Sequence, residues 1–120
     1  MAQSRGKQST DATSVLARVQ ALSSLESMGE SMRDTLNAIA EQEPDWLQAH
    51  LNPEWFDRYV DRFELARLPK AETQRQLLRQ LVGQDVAHLL ASIDEGSTPE
   101  LVRSLPEVTL LRQVFVQNYE

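Results

Sequence analysis

From Val15 onward, apolar residues recur at Val15, Val19, Leu22, Leu25, Met28, Met32, Leu36 and Ile39, steps of three and four that predict an amphipathic helical arm over 13–42. Gly29 lies inside this run, and Ser27-Met-Gly-Glu30 has the form of a capping box. The spacing therefore predicts either two helices, near 13–27 and 28–42, or one kinked helix. A second strong pattern is Trp55, Phe56, Tyr59 and Phe63, with Asp57, Arg58, Asp61 and Arg62 between them. Asn52 suits a cap and Pro53 a first helical position, so a helix over 53–67 is predicted, with the aromatic row (Trp46 included) facing the core.

All five prolines stand where a helix should begin. Pro44, Pro53, Pro69, Pro99 and Pro106 each come just before a charged residue and an apolar run. Proline has no amide hydrogen, and a first turn leaves that hydrogen unpaired anyway. Helices follow near 44–51, 70–82, 84–94, 98–104 and 106–118, with Thr98 as a cap. No run alternates with the period of a strand. The fold class predicted is all-α, one domain of about six to eight short helices. It comprises a disordered tail over 1–12, the arm over 13–42, an aromatic-anchored core over 44–94, and C-terminal helices over 98–120. The last of these are either whole or the start of a longer structure interrupted at Glu120.

Residues 70–94 read as a helical hairpin or a helix-turn-helix with Gly83 in the turn. Leu77, Leu78, Leu81 and Val82 would pack inward, and Val86, Leu89, Leu90 and Ile93 would anchor the second helix. The second helix has no Arg or Lys, and Arg79 stands where a DNA-binding version wants a small residue. These features favour an ordinary hairpin over a reader of base edges.

Composition is that of a soluble globular chain: 41% hydrophobic, 25% charged, mean hydropathy -0.43. There is no apolar run of membrane-spanning length and no signal peptide, so a cytoplasmic protein is expected. Cysteine is absent, which removes disulfides and thiolate metal sites. His50 and His88, the two histidines, make no ligand set at their spacing. No pattern of acids suggests tuned catalysis, so no catalytic residue, metal, cofactor or small-molecule substrate is expected.

A net charge of -6 opposes simple DNA binding. The charge is uneven. Residues 1–52 hold four Lys/Arg against seven Asp/Glu, 53–82 six against five, and 83–120 two against six. The basic run Arg67, Lys70, Arg75 and Arg79 is the candidate for contacts to DNA phosphates. Its alternative is a solvated face paired with Glu64 and Glu72.

Several blocks in order carry a further signal. They are Val19-Gln-Ala-Leu22, Leu25-Glu-Ser-Met-Gly-Glu-Ser-Met-Arg33, Thr35-Leu-Asn-Ala38 and Pro44-Asp-Trp-Leu47. They continue with Trp55-Phe-Asp-Arg-Tyr59, Arg67-Leu-Pro-Lys70, Gly83-Gln-Asp85, Leu105-Pro-Glu-Val108 and Leu110-Leu-Arg-Gln-Val114. Together they resemble the segment ahead of the ribonuclease-H-like catalytic domain in bacterial insertion-sequence transposases. The chain departs from that pattern at Val60 and Val86, where glycines are expected, which implies relaxed constraint or an altered turn after Gly83. The resemblance implies a non-catalytic accessory module or fragment, with the metal-binding acids of the catalytic domain beyond this chain. Its implied partners are transposon-end DNA, a second copy of itself or a separate catalytic chain. The alternative is a helical interaction or dimerisation module with no nucleic-acid role, supported by the acidic balance and the apolar stripe from Val15 to Ile39.

Overall fold

The register of the apolar stripe is the register of the core. In the computed structural model, which describes residues 24–63 and 68–119, α1 runs over 24–42 and buries Leu25, Met28, Met32, Leu36 and Ile39 on one side. After it come α2 (Pro44–His50), α3 (Glu54–Tyr59), α4 (Glu72–Ile93), α5 (Glu100–Arg103) and α6 (Pro106–Tyr119). The fold is all-α, and no strand occurs among the described residues. None of the described helices is long and apolar enough to cross a membrane.

One core joins the α1 stripe to Trp46 and Leu47 of α2, Trp55 and Tyr59 of α3, the C-terminal half of α4, Val102 of α5, and Val108 and Leu111 of α6. The Thr35 hydroxyl, wholly buried, donates to the Ser31 carbonyl at 2.8 Å and lies 3.2 Å from that of Glu107, tying α1 to the first turn of α6. The aromatic row is core as predicted, except that Phe56 is 66% exposed.

The prolines act as the sequence indicates. Pro44 and Pro106 are the first residues of their helices, Pro53 and Pro99 immediately precede theirs, and Pro69 stands in the loop before α4. The Asn52 side chain accepts the Glu54 amide at 3.0 Å from one residue before the N-cap position, which Pro53 occupies. Thr98 does not cap. It is buried, and its hydroxyl donates back to the Ser92 carbonyl at 2.8 Å, so the helix expected over 98–104 is only Glu100–Arg103.

The larger corrections concern the two glycines expected to interrupt helices. The chain stays helical through Ser27-Met-Gly-Glu30, so the break between 13–27 and 28–42 does not occur; residues 13–23 and the tail lie outside the described residues. Gly29 serves as a slot. A Cβ there would stand 2.1 to 2.5 Å from ring carbons of Phe63, which packs directly on the helix backbone. Glu30, instead of closing a capping box, accepts the Phe63 amide at 2.6 Å. These two contacts hold the chain where it leaves α3, which ends at Tyr59 rather than continuing to 67; residues 64–67 also lie outside the described residues.

Gly83 likewise makes no turn. α4 is one helix of 22 residues, so neither a helical hairpin nor a helix-turn-helix forms over 70–94. Burial keeps one helical phase across the glycine through Val82, Val86, Leu89 and Ile93. A mid-helix glycine costs about 1 kcal/mol. Each buried aliphatic side chain on that phase contributes roughly 1.5–3 kcal/mol, so continuity wins. Val86, fully buried mid-helix, then needs no glycine, and Val60 adopts ordinary right-handed backbone.

Candidate functional site

The C-terminal half of α4 belongs to the core, but its N-terminal half extends past it. Val86, Leu89, Leu90 and Ile93 are buried as expected, whereas Leu77 and Leu81, expected to face inward, are 57% and 39% exposed. The helix starts at Glu72, well before its first fully buried residue, Val82, so its opening turns have little core beneath them.

This arrangement decides where the basic residues go. Arg67 lies outside the described residues. Lys70 is exposed in the loop before α4. Arg75 turns back on that loop, its Nη1 donating to the Lys70 carbonyl and lying 3.4 Å from that of Pro69. Arg79 reaches across to α6, where Nη2 donates to the Asn118 carbonyl at 2.7 Å. That carbonyl is in the last turn of α6, where the helix offers no amide, and a guanidinium there also meets the negative end of the helix dipole. Arg75 and Arg79 thus hold the ends of two elements in place, and both are only partly exposed.

A second polar assembly, absent from the sequence reading, joins α3 to α4. The Asp85 carboxylate, 6% exposed, receives Arg58 through two nitrogens, at 2.7 Å from Nε and 3.2 Å from Nη2. The Tyr59 hydroxyl donates to the same carboxylate at 2.6 Å. Glu54, one turn before Arg58, stands 3.6 Å from its guanidinium. Burial, and then the bond to Asp85, push the Tyr59 phenol well above its ordinary value. The bond to Asp85 raises Arg58 further, against the opposing effect of burial. An acid on the apolar phase of Val82, Val86 and Leu89 must find a charged partner, and that was the available signal. Neighbouring Arg58 and Tyr59 supply it from one helical turn.

Each of the two histidines meets a tryptophan ring. The His50 ring lies on Trp46 with centroids 4.4 Å apart, and its Nδ1–H donates to the Trp46 carbonyl at 2.8 Å. His88 meets Trp55 edge-on at 5.6 Å. Among the described residues no three acids or histidines gather closely enough to hold a metal.

The solvent face of α4 is unusual among the described residues. From Thr73 to Ala91 ten residues of this helix are exposed, and none is Asp, Glu, Lys or Arg. In a chain of which a quarter is charged, a surface helix ordinarily carries charge on its outer side. Here the outer side carries Leu77, Leu81, Ala87 and Ala91 among glutamines 76, 80 and 84. Along one edge, between Arg79, Gln80, Gly83 and Ala87 of α4 and Phe115 of α6, runs an open groove of about 520 Å³, and among the described residues Arg79 is the one charged residue that lines it.

Compared with known proteins, the chain matches no family model, no curated protein and no solved structure.

Proposed function

We propose that this chain is a non-catalytic, all-helical assembly module that works by protein contact through the outer face of α4. Where the ordered blocks from Val19 to Val114 carry over their resemblance, the setting is the pre-catalytic region of an insertion-sequence transposase, in which such a contact would gather chains at transposon ends. One observation carries the reading: of the eleven exposed positions on the 22-residue α4, ten bear no formal charge, the exception being Glu72 at its first residue. Depletion of charge, with leucine exposed, marks the centre of a protein interface. A phosphate-gripping surface needs the reverse, and the arginines nearest to supplying it, Arg75 and Arg79, already donate to backbone carbonyls.

Fluorescence anisotropy with a labelled duplex at low salt tests this reading. The expected result is no salt-sensitive complex, and no difference between the native chain and the R75E/R79E variant. A complex that weakens steeply with salt and is lost in R75E/R79E would make the module a DNA-binding one and overturn the reading.

A further inference from the structure

We propose that α4 pairs with α4 of a second copy of this chain, the two helices antiparallel, along the stripe Leu77, Leu81, Gln84, His88 and Ala91. The inference rests on the assembly reading above and names its partner. The stripe steps by four, three, four and three residues, the spacing that keeps a seam facing a partner helix over about 21 Å.

Three features select a second copy. The first is charge. Each chain carries -6, so most surfaces of one copy repel another, and the α4 face removes charge from the contact on both sides. A partner selected by opposite charge would find only Arg79 at the groove's edge, and its guanidinium already donates to the Asn118 carbonyl. The second is size. Bulk is concentrated at one end of the stripe, in Leu77 and Leu81, and the other end narrows from His88 to Ala91, with Ala87 beside it. Antiparallel pairing lays Leu77 on the other helix's Ala91 and Leu81 beside its His88, next to the groove lined by Arg79, Gly83, Ala87 and Phe115. Gln84 falls near the middle, where two amides can bond to each other across the axis. The third is placement. The leucine end lies beyond most of the core, so it can overlap a partner without displacing its own neighbours, and opposed helix dipoles favour this direction. A parallel pair would stack Leu77 on Leu77 and His88 on His88, and leave a gap between the two Ala91 side chains.

Sedimentation velocity of the full chain over a concentration series is the first measurement. The mass should rise from the 13.6 kDa monomer toward twice that value in the micromolar range, since a single helix pair sits at the low end of specific interfaces. Added salt should tighten the dimer by screening two acidic chains, the opposite of its effect on a DNA complex. The L77E/L81E variant changes exposed residues only. It should keep the native circular dichroism and weaken pairing by about tenfold or more, as desolvated or facing like charges do. Because the chain has no cysteine, direction can be read cleanly. A mixture of L77C and A91C chains should form the mixed disulfide faster than L77C forms its own.

A monomer at every concentration, or a dimer indifferent to L77E/L81E, would overturn self-pairing. Faster L77C self-coupling would overturn the antiparallel arrangement. A monomer that also ignores DNA leaves assembly with an unlike protein as the function. Salt-sensitive DNA binding through Arg75 and Arg79 would instead remove the assembly reading itself.

Discussion

Replacing Gly29 with alanine should destabilise this protein, although the same change in the open middle of a helix ordinarily stabilises it by about 1 kcal/mol. The reversal comes from Phe63. The new methyl carbon would sit 2.1 Å from ring atom Cδ2 and 2.2 Å from Cγ, far inside contact distance. α1 is locked by its buried stripe, so the ring is what must move. Phe63 is 6% exposed and stacked on Tyr59 at 5.5 Å. Its ejection gives up about 2.5 kcal/mol of burial, and the net cost is then about 1.5 kcal/mol after the propensity gain. With a urea m-value of about 1.5 kcal/mol/M, the denaturation midpoint should fall by about 1 M. The decisive comparison is a double-mutant cycle. In a F63A background the slot is empty, and G29A should become stabilising by about 1 kcal/mol. A G29A chain as stable as the native one, or an effect of the same sign in both backgrounds, would refute the slot and restore Gly29 as a helix interruption.

Removing the buried acid in D85A leaves Arg58 and the Tyr59 hydroxyl facing each other without their shared acceptor, and should cost about 3 kcal/mol in urea denaturation. The R58M/Y59F/D85L triple should recover most of that loss, because well-packed apolar side chains replace the desolvated ionic pair and no buried hydroxyl is left without an acceptor. Stability should also fall at high pH. Tyr59 has a folded value raised above its ordinary 10.0, so its contribution is whole below pH 10 and is lost as pH climbs past it toward the folded value. Alkaline unfolding followed by circular dichroism should therefore begin near pH 10 in the native chain and be flatter there in Y59F; identical profiles would contradict it.

Much of the architecture is legible in the chain because it rests on period and punctuation. The α1 stripe, the proline starts, and the anchoring set Val86, Leu89, Leu90 and Ile93 all stand where their spacing places them. What misleads is the local reading of glycine. At Gly29 and Gly83 a preference worth about 1 kcal/mol points to interruption, yet distant partners decide the outcome: Phe63 in one case, the continuous buried phase of α4 in the other. The same long-range causes hide the candidate site. Helical spacing puts Leu77 and Leu81 on an apolar phase, but only the fold shows that the core ends before it reaches them. Charge counting makes Arg75 and Arg79 a basic patch, whereas their tertiary positions give them carbonyls to cap. Asp85 is the intermediate case: its place on an apolar phase demands a partner, but which arginine answers depends on how α3 packs on α4.

The account turns on α4 being one helix that holds Leu77 and Leu81 outside the core. Backbone chemical shifts of the labelled chain measure this directly. Helical Cα shifts should run without a gap from Thr73 to Ile93, Gly83 included, and in the dilute monomer the Leu77 and Leu81 methyl groups should show rapid solvent relaxation. Turn-like shifts at Gly83, with those methyls shielded from solvent in the isolated monomer, would replace the single helix by a hairpin and take the contact face with it.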